Sequence, residues 1–127
     1  SATMARLANE AGVDTRYGLG VLNGNHEKLF RLLRLMATSH REDMQDLQVA
    51  LRRGDREQAL HIVHTLRGVA ATLGARGLSD AAQAVESLLR AGTGNAPGDA
   101  AAEPAGLADA MAAVTVRLER LLDVLGP

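Results

Sequence analysis

Apolar residues return along this chain at three- and four-residue spacing, the pattern of helices that bury one face. Leu29, Leu33, Met36, His40, Met44, Leu47 and Leu51 form one stripe, predicting a helix of about seven turns from His26. Arg53-Gly54-Asp55 stops it, and Asp55 with Gln58 resembles a capping box that starts the next helix. That helix carries Ala59, Val63, Leu66, Ala70 and Leu73 on one face, with a break or bend at Gly74. Leu78, Ala81, Ala82, Val85, Leu88 and Leu89 make a third stripe, which Gly92 ends. Leu107, Met111, Val114, Leu118, Leu121 or Leu122, and Leu125 make a fourth, with Pro104 suited to its first turn.

Upstream, Asp14-Thr15 can cap a short helix to about Leu22, and Asn23-Gly24-Asn25 reads as a turn. Residues 1–13 are short on pattern and read as an N-terminal extension, with Ser1-Ala2-Thr3 suggesting a cloning remnant. Residues 92–106 hold four Gly and two Pro and read as a flexible loop. Four amphipathic helices cannot bury their faces singly. The expected fold is therefore all-α: an antiparallel four-helix bundle over 14–127 with a short extra N-terminal helix. No repeat suggests a solenoid.

Composition narrows the functions. Of 127 residues, 46% are apolar, yet there is one Phe, one Tyr and no Trp, so the core is aliphatic. The formal net charge is −1 with signs interspersed. Without a basic stripe or stacking aromatics, nucleic-acid binding is not expected. The absence of cysteine excludes disulfides, thiol catalysis and thiolate metal sites. No apolar run approaches the ~20 residues of a membrane span, and no signal peptide is visible.

The chemistry concentrates in His61-Ile-Val-His64-Thr-Leu-Arg67-Gly68. The core stripe passes through Val63, Leu66 and Ala70. His64 is rotated about 100° from Val63, which places it at the edge of the core face, reaching solvent. Gly68 lies one turn on, although glycine inside a helix costs roughly 1 kcal/mol relative to alanine. Helical side chains lean toward the N-terminus. A side chain at 68 would cover the His64 imidazole, whereas glycine leaves room for another protein. Arg67 also leans back and could pair with phosphate oxygens. Neutral imidazole is a competent nucleophile near neutral pH, so the set suits phosphoryl transfer.

His64-Thr65-Leu66-Arg67-Gly68, followed by Ala70-Ala71-Thr72-Leu73-Gly74-Ala75, resembles the signature of histidine-containing phosphotransfer (HPt) domains, His-x-Leu-Lys-Gly, small residues, then Gly-Ala. The likeness extends over roughly residues 12–92. It takes in Gly12-Val13-Asp14, Leu29-Phe30, the run from Ala50-Leu51 through Gly54-Asp55 to Ala59, and Leu78, Ala82, Val85 and Glu86. The resemblance implies a four-helix bundle with an exposed histidine mid-helix. It implies that His64 accepts a phosphoryl group from a receiver aspartate and passes it to another receiver. It implies no kinase activity, nucleotide site or cofactor of the chain's own, magnesium being the receiver's. Carried over, His64 is the phosphoacceptor, Arg67 stands where the family has lysine, and Gly68 is the clearance glycine. Receivers should dock around His61, Thr65, Arg67, Gly68 and Ala71. The expected molecule is a monomer in the cytoplasm, alone or as a module of a membrane-anchored hybrid sensor kinase, without direct membrane contact.

Rival readings attach to the same residues. His61 and His64 could share a metal, but two ligands are too few for a structural site, so no metal is expected. Gly68 could mark close helix packing. His40 falls on an apolar stripe and should be partly buried with a hydrogen-bond partner, while His26 should face solvent. Met36, Met44 and Met111 read as core filler. For the whole chain the alternatives are a receiver-binding adaptor that transfers nothing, a structural bundle serving oligomerisation, and a bundle metalloenzyme.

Overall fold

In a computed structural model of the chain, the structure describes residues 1–92 and 103–126. The described residues form seven helices and no strand: α1 (Ala2–Glu10), α2 (Thr15–Val21), α3 (His26–Ser39), α4 (Asp43–Arg52), α5 (Arg56–Thr72), α6 (Arg76–Ala91) and α7 (Leu107–Leu125). The expected loop at 92–106 falls largely outside the described residues. The bundle core is α5 against α6, α6 against α7, and α3 with α4 completing the ring on α7 and α5.

The stripes read from the sequence are the buried faces. Leu29, Leu33, Leu47, Ala59, Val63, Leu66, Ala70, Val85, Leu89, Val114, Leu118 and Leu121 are all 0% exposed. Each buried aliphatic side chain of Val or Leu size contributes about 1.5–3 kcal/mol. Local signals set the starts: Asp14 Oδ1 accepts from Tyr17 N, Asn25 Oδ1 from Lys28 N, and Asp55 Oδ1 from Gln58 N, each at 3.0 Å.

Two features depart from the expectation. The single long helix from His26 is two helices, broken at residues 40–42. His40 ends α3, and Asp43 N donates to His40 O at 3.0 Å, closing one tighter turn before α4. That turn keeps Met36 and Met44 on the same side, so the apolar period runs through the break. His40 is partly buried and its Nδ1 lies 2.7 Å from Asp43 Oδ2. Burial raises the Asp43 carboxyl above its ordinary value, against the lowering effect of His40.

Residues 1–13, expected to be a patternless extension, contain α1. Ser1 Oγ accepts from Met4 N at 3.3 Å as the N-cap. Leu7 is fully buried, Ala11 and Val13 join the core, and α1 packs on α7. A helix that buries one large side chain shows too short a stripe to be read from spacing.

The segment between α1 and α2 clamps the α5–α6 turn. Asp14 N donates to Gly74 O at 2.7 Å and Gly77 N to Gly12 O at 3.0 Å. Gly74 has φ +79°, and a Cβ there would lie 2.6 Å from Asp14 O. Only glycine fits such a left-handed turn against another backbone. The turn sets the register between α5 and α6, the two helices that build the site.

Candidate functional site

α5 buries Val63, Leu66 and Ala70, which leaves His64 on the shoulder of the helix, its side chain 59% exposed. Across the seam, α6 presents Glu86 beside the buried Val85. Glu86 is only 5% exposed, the one buried charged residue among those described. Its Oε2 lies 3.0 Å from His64 Nδ1 and 2.9 Å from an Arg90 terminal nitrogen. Its Oε1 lies 2.8 Å from Arg67 Nε. That last contact is an ion pair without a straight hydrogen bond, because the buried Nε–H does not aim at an acceptor.

A buried carboxylate needs such partners to stay ionised. Burial pushes the Glu86 carboxyl up. Hydrogen bonds from Arg90 and His64 and the Arg67 charge outweigh burial and hold it below its ordinary value. An ionised carboxylate can only accept, so Nδ1 carries the hydrogen, and in the neutral ring the lone pair is then on Nε2. An Arg67 terminal nitrogen also comes within 3.4 Å of Nδ1. Guanidinium only donates, so the two contacts compete for one ring nitrogen. The shorter, charge-assisted bond to Glu86 prevails. With Nδ1 turned inward, the exposed edge of the ring is the Nε2 edge.

Gly68 lies open beside the ring. A Cβ built there meets no heavy atom within 4 Å beyond its own helix backbone, so close helix packing does not explain the glycine. Its carbonyl accepts from Thr72 Oγ1 at 2.9 Å. His64, Thr65, Gly68, Val69, Thr72 and Leu73 line a shallow open groove along α5. Of the anticipated docking residues, Thr65 and Gly68 line this groove. His61 is exposed on the same helix outside it, and Ala71 borders a separate depression with Tyr17, Gly74 and Arg76. Arg67 turns into the α5–α6 seam. No group of three metal-binding side chains occurs among the described residues.

Residues 31–125 match the Hpt domain family. The chain belongs to that family. Comparison with curated proteins and with solved structures gives no match. Hpt domains are phosphocarrier modules of two-component signalling and meet response-regulator receivers; they are not kinases. The match covers α4 to α7 entirely and α3 in part, and leaves α1 and α2 outside. Among the described residues no helix of this Hpt domain is long and apolar enough to cross a membrane.

Sequence reasoning gave Glu86 no role. It entered only as one residue of the family likeness. A signal was present, since an acid on the face marked by Leu78, Ala82, Val85 and Leu89 must find partners. Its partner His64, however, is 22 positions away, beyond the reach of helical spacing.

Proposed function

We propose that this Hpt domain is a phosphorelay intermediate whose phosphoacceptor is His64 Nε2. The observation that carries the reading is the Nδ1 contact with buried Glu86, which leaves Nε2 exposed beside the gap at Gly68. The Nε2 lone pair attacks the phosphorus of a receiver's aspartyl phosphate. The N–P bond forms, the bond from phosphorus to the aspartyl oxygen breaks, and its electron pair returns to the carboxylate. Nδ1 keeps its proton, and Glu86 balances the positive charge that develops on the ring, as carboxylates do behind other catalytic histidines. Onward transfer reverses these steps toward a second receiver, with neutral imidazole as the leaving group.

Receivers are the partners, and magnesium, with the charge neutralisation it brings, belongs to them. The domain itself uses no cofactor. It acts as a cytoplasmic monomer, whether free or within a membrane-anchored sensor kinase. The exposed large apolar residues Tyr17, Val21, Leu35, Val49 and Val116 are spread over four helices, which supports the monomer over a structural bundle built for assembly.

The test is incubation with a phosphorylated receiver and magnesium. Wild type should gain acid-labile, base-stable phosphate and His64→Gln none. Equal labelling of both would refute the assignment, and receiver binding without labelling of wild type would point to an adaptor.

A further inference from the structure

Arg67 occupies the place where the sequence suggests a cation for the phosphoryl group. Its geometry is different. Nε, the inner nitrogen of the guanidinium, lies 2.8 Å from Glu86 Oε1 and is buried. The terminal nitrogen nearest the ring is 3.4 Å from Nδ1, the inward edge of the imidazole. Glu86 thus faces a cation on each oxygen, Arg67 from α5 at Oε1 and Arg90 from α6 at Oε2, while Oε2 also accepts from His64 Nδ1–H. His64, Arg67 and Arg90 are the charged or titratable groups that meet this carboxylate.

We propose that Arg67 is a positioning residue that acts through Glu86, fixing the carboxylate plane so that it holds Nδ1–H, rather than a direct partner of the phosphoryl group. A carboxylate bound by one cation can turn about its last torsion, which is broad. Cations on both oxygens remove that freedom. Arginine suits the task better than lysine: its planar, delocalised guanidinium brings charge to within 2.8 Å of Oε1 partway along the side chain, while an ammonium is a single point at the tip of a flexible stem. The departure from the family's lysine and the acid at position 86 are then one device.

The inference rests on His64 being the phosphoacceptor, but its first test needs no phosphate. The ratio of Nδ1–H to Nε2–H tautomer of His64 is read by ring ¹⁵N NMR on the unphosphorylated domain, at an alkaline pH beyond which the ring ¹⁵N shifts no longer change. Arg67→Gln should lower the ratio on the order of fivefold, the scale of losing part of a charge-assisted hydrogen bond. In a Glu86→Gln background it should change the ratio by less than about twofold, since coupled residues do not add. Arg67→Lys, which keeps the charge and is the milder change for folding, should recover less than half of the loss. An unchanged ratio in Arg67→Gln would overturn the proposal. So would a raised one, which would mean that Arg67 donates to Nδ1. In the phosphorylated domain, the effects of Arg67→Gln and Glu86→Gln on phosphohistidine lifetime should overlap, and full additivity would place Arg67 on the phosphoryl group instead. Failure of His64 to take phosphate would sink the functional reading alone and leave the tautomer result standing.

Discussion

Replacing Gly68 with alanine adds one methyl group to the face of α5 beside His64. At Gly18 or Gly74 such a group would strike backbone, 2.7 Å from Leu73 O or 2.6 Å from Asp14 O. At Gly68 no atom beyond its chain neighbours and its own helix backbone lies within 4 Å, and the backbone is ordinary helix. The fold should therefore gain the usual glycine-to-alanine increment in a helix, about 0.5–1 kcal/mol, seen as a rise in Tm of roughly 2–8 °C. Transfer should move the other way. A receiver brought close to Nε2 must accommodate the methyl group, and overpacking a fitted contact costs about 1–3 kcal/mol. At 1.4 kcal/mol per decade, that is a loss of roughly 5- to 150-fold in transfer rate at limiting receiver. Thermal unfolding and a transfer time course on the same sample report both quantities. A Gly68→Ala domain that is destabilised, or that transfers as fast as wild type, would refute a clearance role for the glycine.

Three further substitutions probe what holds the site. Glu86 has a folded-state value below the ordinary carboxylate value of 4.5, so its ion pairs add stability above that pH and lose it as pH falls through the folded value. Glu86→Gln should flatten the acid limb of a stability–pH curve measured by urea unfolding, and an unaltered limb would mean the carboxylate is not stabilised by its neighbours. Gly74→Ala, strained by its positive φ and by contact with Asp14 O, should cost at least about 1 kcal/mol, and denaturant midpoints would show it. Leu7→Ala should cost about 2–5 kcal/mol if α1 is part of the cooperative unit, whereas no loss in denaturant unfolding would make α1 an appendage.

The four apolar stripes were legible because each repeats over several turns and each is one face of one helix. Val63 and Leu66 marked the buried side of α5, and with it the exposed shoulder where His64 sits. The break at 40–42 was not legible, since one tight turn preserves the apolar period. Neither was α1, whose burial rests chiefly on Leu7. At the site, the roles of neighbours in sequence could be guessed, because residues three and four apart share a helix face. The contact from Glu86 to His64 crosses between helices, and it depends on the register set by the α5–α6 turn with its clamp from Gly12 and Asp14. The placement of Arg67 follows from Glu86, so spacing along α5 alone does not reveal that it turns inward.

In the proposed relay, Glu86 holds Nδ1–H and Nε2 carries the phosphoryl group. This assignment is tested most directly by phosphorylating ¹⁵N-labelled domain from a receiver and reading which ring nitrogen couples to phosphorus. Coupling to Nε2 of His64, with the proton retained on Nδ1, is the expected result. Phosphorus bonded to Nδ1, or to any side chain other than His64, would contradict the account.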